Sequence, residues 1–214
     1  VLGCGGSMAK WIKAGNEVHV LIMAEGATSR GKHRDRESCS EELSILAKSV
    51  KQAADILGVK SVKMLDYPDN RMDSVDLLDV VKSVEEIVEK LKPELVVTHH
   101  AGDLNIDHQI VHHAVMSACR PQFGSLVKRI LSFEVPSATE WNSHTASIPF
   151  IPNWFEDISK TLELKIAALE AYKSEMRKWP HSRSIKGVEH LAHLRGASVG
   201  CEAAEAFVLI RELR

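Results

Sequence analysis

Residues 17–24 read EVHVLIMA, a nearly continuous apolar run of strand length. Apolar residues at successive positions, instead of at every second position, are typical of a strand that is buried on both faces of a sheet. A helical pattern precedes this run at residues 7–14, and another follows it from about residue 38. The run therefore predicts an inner strand that alternates with helices along the chain.

The same alternation of strands and helices continues to the end of the chain. Strands are predicted at residues 61–65, 94–98, 128–135 and 206–210, and helices at residues 38–57, 75–91, 107–119, 158–176 and 185–194. This spacing favours an α/β fold with a largely parallel sheet. With 214 residues and a hydrophobic content of 44%, the chain fits a single domain over residues 1–214.

Two local signals predict the bounds of the second helix. Ser38 and Glu41 have the spacing of a capping box, in which each side chain bonds a backbone N–H group of the first turn. Gly58 is well placed to end the helix, because glycine adopts the left-handed conformation at little cost.

The composition argues against several classes of partner. A formal net charge of −2 gives no attraction of the whole molecule to nucleic acid or to an anionic membrane. No apolar run approaches the roughly 18 to 20 residues that a membrane span needs. The four cysteines are scattered and form no C-x-x-C pair, so neither a disulfide framework nor a thiolate zinc site is predicted. A cytoplasmic protein without a membrane span is expected.

Four loops follow predicted strands, at residues 25–37, 66–73, 99–107 and 135–156. In parallel sheets, ligands bind beyond the carboxyl ends of the strands. We therefore expect these loops to share one rim and to carry the functional residues.

Histidines are concentrated in the third of these loops and in the helix behind it. Five of the eleven histidines lie within residues 99–113. Imidazole and carboxylate groups are the usual ligands of a catalytic zinc ion that keeps one position open for water. A polar loop with solvated histidines and Asp107 as a helix cap explains the same residues without a metal. From composition alone, both interpretations stay open.

Two other metal motifs fit this stretch less well. The pattern D-x-N-x-D at residues 103–107 resembles the start of a calcium-binding EF-hand loop, but His108 stands where that loop needs glycine and Ala114 where it needs glutamate. His108 and His112 have the i, i+4 spacing of a helical zinc pair, but the glutamate of an H-E-x-x-H motif is missing. Neither motif is the favoured interpretation.

The stretch H-x-x-D-x-N-x-D-H at residues 100–108 resembles the second signature of the LmbE/PIG-L family of zinc-dependent N-acetyl-sugar deacetylases. The resemblance covers nearly the whole chain in the right order, through segments at residues 3–6 (GCGG), 25–30 (EGATSR), 68–71 (PDNR), 134–137 (EVPS), 195–196 (RG) and 202–207 (EAAEAF). It implies a Rossmann-like three-layer sandwich. It also implies hydrolysis of the N-acetyl group of an N-acetylglucosamine-type sugar or its conjugate by a water that Zn²⁺ activates.

One part of the family pattern is not found in the sequence. In the family, a first strand ends in His-Pro-Asp-Asp-Glu, directly upstream of a segment similar to residues 1–6. The histidine and the second aspartate are two of the three protein ligands of zinc, and the first aspartate is the general base. The resemblance therefore leads us to expect a further strand with this motif N-terminal to Val1.

The resemblance assigns roles to the residues that match. His108 is the expected metal ligand, and Asp107 is expected to orient or tune a histidine of the site. Many family members have histidine where Asn105 stands. The group that stabilises the oxyanion or protonates the leaving amine therefore stays open among Asn105, Asp103 and His100.

The first and second of the four loops carry candidates for binding the sugar. Arg30 and Thr28 lie in the EGATSR segment, where the guanidinium group can grip a sugar hydroxyl or an anionic group such as phosphate. Asp69 and Arg71 have similar standing on the next loop. The other basic residues at 32, 34 and 36 are expected to be solvated charges.

Two further candidates lie closer to the C-terminus. Trp141 can stack on the face of a pyranose ring, with a packed aromatic residue as the alternative. Arg195 is expected either to close the site or to pair with Glu202 or Glu205.

Two rival functions stay open. One is a metal-free or inactive homologue that binds a glycan without cleaving it. The other is dinucleotide binding by the glycines at residues 3–6, although their spacing is not G-x-G-x-x-G and the next strand does not end in an acidic residue. The expected partner is a small N-acetylated sugar or glycoconjugate and not a nucleic acid. The sequence leaves open whether the protein forms a homo-oligomer.

Overall fold

The computed structural model describes residues 1–143 and 148–214. Within them, the strands are β1 (His19–Ala24), β2 (Ser61–Tyr67), β3 (Leu95–His99), β4 (Arg129–Phe133), β5 (Trp154–Asp157) and β6 (Ala204–Glu212). The helices are α1 (Gly5–Lys13), α2 (Ser40–Leu57), α3 (Leu77–Leu91), α4 (Ile106–Ala118), α5 (Leu162–Glu170) and α6 (Ile185–Ala197). The α/β class predicted from the sequence is confirmed.

The chain forms two compact units. Unit 1 comprises Val1–Asp69 and Phe155–Glu205, and unit 2 comprises Asn70–Trp154 and Ala206–Arg214. A single domain over residues 1–214 stays a prediction. The loops at residues 25–37 and 99–107 lie in units 1 and 2 respectively, and the rim that they are expected to share also stays a prediction.

In unit 1, β1 and β2 form a parallel pair that begins at His19 and Ser61. Only Met23 of β1 is buried, although the sequence predicts burial on both faces. Among the described residues β1 pairs with β2 alone, so its apolar side chains are only partly covered.

Small and aliphatic side chains form the main core of unit 1. The buried members come from α1, α2 and α5: Met8, Ala9, Ala53, Leu57 and Ala168. Gly6 lets α1 lie close to Ile158, because a Cβ atom at residue 6 would lie 2.8 Å from the side chain of Ile158.

The start of α1 rests on a buried ion pair. Glu205 accepts hydrogen bonds from the backbone N–H groups of Gly6 (3.0 Å) and Ser7 (2.7 Å). Lys165 donates to the same carboxylate at 2.6 Å, and the two charged side chains are only 5% and 3% exposed. A carboxylate at a helix N-terminus is favoured by the helix dipole. This contact ties α1 to α5 and to the first residues of β6.

The larger sheet has the strand order β3-β4-β6-β5. β3 and β4 are parallel and pair from Leu95 with Arg129 to His99 with Phe133. β6 runs antiparallel to β4, so the sheet is only partly parallel, and the expectation of a largely parallel sheet is too strong. The spacing of apolar residues shows that 204–212 is a strand but not its direction.

The helix bounds agree with the sequence in part. Gly58 ends α2 in the left-handed conformation (φ 81°), as predicted. The predicted capping box at Ser38 is wrong, because α2 starts at Ser40 and its N-cap residue, Cys39, makes no side-chain capping bond. The Asp35 carboxylate instead accepts from the N–H groups of residues 37 and 38. The helix predicted at residues 158–176 spans only Leu162–Glu170, and β5 begins within the segment 135–156 that is predicted to be a loop. No helix among the described residues is both long and apolar enough to cross a bilayer.

Candidate functional site

The residues that match the histidine-rich signature lie in unit 2, at the end of β3 and the start of α4. Asn105 is the N-cap of α4, and its Oδ1 atom accepts from the N–H group of Asp107 at 2.8 Å. The cap is therefore Asn105 and not Asp107. Asparagine is among the best capping residues, because its short side chain reaches the free N–H groups of the first turn.

Asp107 holds the loop at residues 70–72 through backbone hydrogen bonds. Its Oδ2 atom accepts from the N–H group of Asn70 at 2.6 Å, and its Oδ1 atom accepts from the N–H group of Met72 at 3.0 Å. Asn105 adds a bond from its Nδ2 atom to Asn70 Oδ1 at 3.0 Å. Asn70 has a positive φ of 53°, which asparagine tolerates better than most residues. Asp107 and Asn105 together fix this loop against α4.

Asp103 is fully buried and uses both carboxylate oxygens. Oδ1 accepts from the N–H group of Asn105 at 2.9 Å, and Oδ2 accepts from Thr139 Oγ1 at 2.8 Å. Burial raises the pKa of Asp103, but the contact with His108 and the hydrogen bonds from Asn105 and Thr139 outweigh it and leave the pKa below its ordinary value. Asp103 is therefore a buried carboxylate anion.

His108 lies between Asp103 and a second imidazole. Its Nδ1 atom is 3.2 Å from Asp103 Oδ1, but it makes no hydrogen bond of ordinary geometry with any described residue. The contact is thus an electrostatic one at ion-pair distance. On its other side, the His108 ring stacks on His99 with a centroid separation of 4.0 Å and an interplanar angle of 14°. The His108 side chain is 20% exposed, so part of the ring is accessible.

Two neighbouring histidines are neutral. Burial, together with repulsion from His108 and His112, lowers the pKa of His99 well below its ordinary value. Burial also lowers the pKa of His112, whose Nδ1 atom lies 2.9 Å from the backbone oxygen of His99. Uncharged imidazoles of this kind have nitrogen lone pairs available for a hydrogen bond or a metal.

His100 is turned into the protein. It is only 4% exposed, and its Nε2 atom lies 3.0 Å from the backbone oxygen of Ile148, to which it must donate. Its ring meets Phe150 edge to face at 5.2 Å. Gly102 is needed beside it, because a Cβ atom there would lie 1.9 Å from the same Ile148 oxygen. His100 therefore anchors the chain at residues 148–150.

Trp141 is exposed to 54%. The next residue, Asn142, donates from Nδ2 to the backbone oxygens of Gly102 (3.0 Å) and Asp103 (3.2 Å). Trp141 is therefore adjacent in sequence to a residue that is bonded to the histidine-rich loop of unit 2. Arg71 lies in the loop that Asp107 holds.

The candidates in unit 1 are held by local partners. Arg30 donates to Glu42 (3.2 Å) and to Glu175 (2.6 Å). Thr28 is buried and donates to Glu25, and Asp69 accepts from Ser29 Oγ at 2.5 Å. Of the two expected acidic partners of Arg195, Glu205 is engaged by Lys165.

Glu25, for which the sequence predicts no structural role, organises the basic loop. Its buried carboxylate contacts Arg34 at 2.8 Å and Arg36 at 3.0 Å. Arg36 also pairs with Asp66. Arg30, Arg34 and Arg36 are thus all ion-paired, which removes much of the positive charge that the sequence suggests for this loop.

Acid sensitivity is expected from Glu25. Burial raises its pKa, but Arg34, Thr28 and Arg36 outweigh this effect and leave the pKa below its ordinary value. Because the folded pKa is depressed, the stabilisation is present above the unfolded pKa of about 4.3 and is lost as the pH falls through the folded pKa. Urea unfolding at pH 7 and at lower pH should show Glu25→Gln about 1–3 kcal/mol less stable at pH 7. Its disadvantage should shrink in acid, and a constant difference at every pH would contradict this assignment.

The described residues do not by themselves form a metal site. No group of three His, Cys, Asp or Glu side chains within residues 1–143 and 148–214 is placed to hold a metal ion. His108, backed by the Asp103 carboxylate, has the setting of one imidazole ligand.

The chain is similar to known deacetylases in sequence. Residues 1–119 match the family described as PIG-L, GlcNAc-PI de-N-acetylase. The chain is 30% identical over 179 residues to the uncharacterized deacetylase YaiS of Escherichia coli strain K12, covering 81% of this chain and 84% of that protein. It is 26% identical over 190 residues to diacetylchitobiose deacetylase of Thermococcus kodakarensis, covering 81% of this chain and 65% of that protein.

The fold is shared more widely. The structure of GalB, the 4-carboxy-2-hydroxymuconate hydratase of Pseudomonas putida KT2440, is similar with a TM-score of 0.77 at 22% identity, covering 100% of this chain and 92% of that chain. A hydratase with this fold means that the fold alone does not select the reaction, so the site residues and the sequence relatives must do so.

Proposed function

Because the chain belongs to the PIG-L (GlcNAc-PI de-N-acetylase) family, we propose that it hydrolyses the N-acetyl group of an N-acetylglucosamine-type sugar or its conjugate. The observation that carries this proposal is the placement of His108 against the buried Asp103 carboxylate, within the segment that resembles the family signature. The similarity of the chain to proteins named as deacetylases supports the same reaction.

We assign His108 as a ligand of Zn²⁺. Asp103 lies beside Nδ1, which leaves Nε2 as the ring nitrogen for a metal. A carboxylate behind a histidine ligand fixes the ring and raises its basicity. The remaining ligands and the general base are expected from the His-Pro-Asp-Asp segment that the family resemblance implies. When bound, zinc lowers the pKa of its water and polarises a carbonyl group.

Asn105 is the strongest candidate for stabilising the oxyanion. Asp103 is buried with both oxygens engaged, and His100 is buried with Nε2 bound to Ile148, so neither is well placed to reach a substrate. Asn105 is partly exposed, and only one of its two Nδ2 hydrogens is needed for the bond to Asn70. The second hydrogen can be donated to a developing oxyanion.

Replacing Asn105 separates its catalytic role from its structural one. Asn105→Asp retains an oxygen that can cap α4 but has no N–H donor, so we expect kcat for acetate release to fall about 10²–10³-fold. Asn105→Ala should lose the donor and also about 1 kcal/mol of stability from the cap. Steady-state kinetics and thermal unfolding of both variants provide the measurement. Normal kcat in Asn105→Asp would rule out this donor.

Asp107 is proposed to act through position and not by touching the substrate. Its carboxylate is engaged by the N–H groups of Asn70 and Met72, and only 5% of the residue is exposed. It thereby holds the loop that carries Arg71 in one conformation. The residues proposed to bind the sugar are Arg71, Arg30, Thr28, Asp69, Trp141 and Arg195.

The substrate is proposed to be recognised mainly through hydroxyl and apolar groups. Arg30 and its two basic neighbours at residues 34 and 36 are committed to acidic partners, so the basic loop gives little support for an anionic conjugate. We further propose a cytoplasmic location, which the four free cysteines support, and a Rossmann-like three-layer arrangement of the fold.

The function is tested by measuring acetate release from N-acetylglucosamine and a panel of its conjugates, with the zinc content of the same preparation determined by mass spectrometry. Acetate release that a chelator abolishes and zinc restores is the expected result. Binding of the sugars without acetate release, at full zinc loading, would instead support the glycan-binding homologue without catalysis.

A further inference from the structure

Unit 1 also has an exposed aromatic residue, in the segment between α5 and α6. Trp179 is 51% exposed, and Lys186 and His190 of α6 pack against its ring. We call Trp179, Lys186 and His190 the Trp179 platform. None of these residues has a part in the deacetylation proposed above.

The Trp179 ring is held in one orientation. The Lys186 ammonium group lies over the ring, 5.1 Å from its centroid, and the His190 ring packs against it in a T-shaped arrangement, with a centroid separation of 5.2 Å and an interplanar angle of 82°. A cation over the face and an aromatic edge both attract the indole π-system. Because Trp179 is 51% exposed, part of the indole remains accessible to a further planar partner.

The backbone around Trp179 is also fixed. The N–H group of Arg177 donates to the backbone oxygen of Arg183 at 3.2 Å and closes the segment into a loop. The N–H group of Arg183 donates to His181 Nδ1 at 3.0 Å. The loop lies so close to the first turn of α6 that a Cβ atom at Gly187 would be 2.6 Å from the Ser182 oxygen. A prearranged surface loses little conformational entropy when it binds a ligand.

The segment that carries the platform is basic in sequence. Residues 173–186 contain five lysine and arginine residues and one acidic residue, Glu175, in a chain whose formal net charge is −2. Glu175 is itself paired with Arg30 at 2.6 Å. Lys178 and Lys186 are exposed on either side of Trp179 in the sequence. A ligand that binds at Trp179 therefore binds within a basic segment of the chain.

We propose that the Trp179 platform binds an acidic oligosaccharide, with one sugar ring stacked on Trp179 and its carboxylates facing the surrounding lysine and arginine side chains. A pyranose offers an apolar C–H face to the indole and polar groups at its rim, which matches this arrangement. Lipid insertion would require the indole to leave Lys186 and His190. Nucleic acid binding depends on many phosphate contacts, which the net negative charge of the chain disfavours.

The test is isothermal titration calorimetry of the intact protein with tetragalacturonic acid, which combines sugar rings with carboxylates and carries no N-acetyl group. We expect Trp179→Ala to weaken binding about tenfold, the loss that a stacked aromatic contact of this kind typically brings. Trp179→Phe should recover part of the affinity. Phe123→Ala, which removes an exposed aromatic residue in unit 2, should bind like the unchanged protein.

Two comparison ligands make the result decisive. Cellotetraose has sugar rings without charge and should bind more weakly than tetragalacturonic acid; inorganic polyphosphate has charge without sugar rings, and its affinity should be unaffected by Trp179→Ala. Equal affinity for tetragalacturonic acid in Trp179→Ala and the unchanged protein would overturn the proposal. So would binding to phosphatidylglycerol vesicles without binding to the tetrasaccharide. Because neither oligosaccharide carries an N-acetyl group and no acetate release is measured, the outcome is independent of the deacetylation proposal.

Discussion

His108→Ala should abolish acetate release and strip zinc from the protein. His108 is the imidazole that Asp103 supports within the family signature, and the described residues offer no alternative group of three metal-binding side chains. Loss of a zinc ion that contributes several kcal/mol to the transition state corresponds to at least about a 10³-fold fall in kcat/KM.

The matched control for this prediction is His113→Ala. His113 lies on the same helix but is exposed, so its removal should leave zinc content and rate close to those of the unchanged protein. Zinc content by mass spectrometry and acetate release should be measured on the same samples. A His108→Ala protein that keeps its full zinc content would refute the ligand assignment, whatever its rate.

Glu205→Gln should produce the largest loss of stability. The substitution leaves the Lys165 ammonium group buried without its carboxylate. It also removes the negative charge that accepts hydrogen bonds from the N–H groups of Gly6 and Ser7. Breaking a buried ion pair by removing one partner costs about 3–5 kcal/mol, because the remaining charge is not solvated. Chemical denaturation at pH 7 gives the unfolding free energy directly.

Glu94→Gln serves as the control for this effect. Glu94 also pairs with a lysine, Lys128, at 3.6 Å, but the two side chains are 77% and 53% exposed. Exposed ion pairs contribute about 0–1 kcal/mol, so this substitution should be nearly neutral. If both substitutions cost the same, burial of the Lys165 pair is not what stabilises unit 1.

The sequence predicts most elements of this fold because their signals are local. Gly58 ends α2 through a left-handed conformation that depends on one residue, and the apolar run at residues 17–24 contains β1. β5 was missed because a strand of four residues leaves too short a pattern to recognise. The antiparallel direction of β6 depends on its pairing with β4, which periodicity does not encode.

The candidate site was predictable in its location but not in its contacts. The concentration of histidines at residues 99–113 identifies the region, and the family resemblance selects His108. The bonds from Asp107 to the N–H groups of Asn70 and Met72 join residues 35 or more positions apart, so no local spacing reveals them. Thr139, which fixes Asp103, was missed for the same reason.

The bonds between the start of α4 and the loop at residues 70–72 also bear on how the protein can evolve. Asn105 and Asp107 share Asn70 as a partner, so a substitution at one of these positions changes the setting of the others. The effects of changes in contacting residues are generally not additive. We therefore expect the residues at positions 70, 105 and 107 to change together among natural variants. A histidine introduced alone at position 105 would lie in a loop whose conformation fits asparagine.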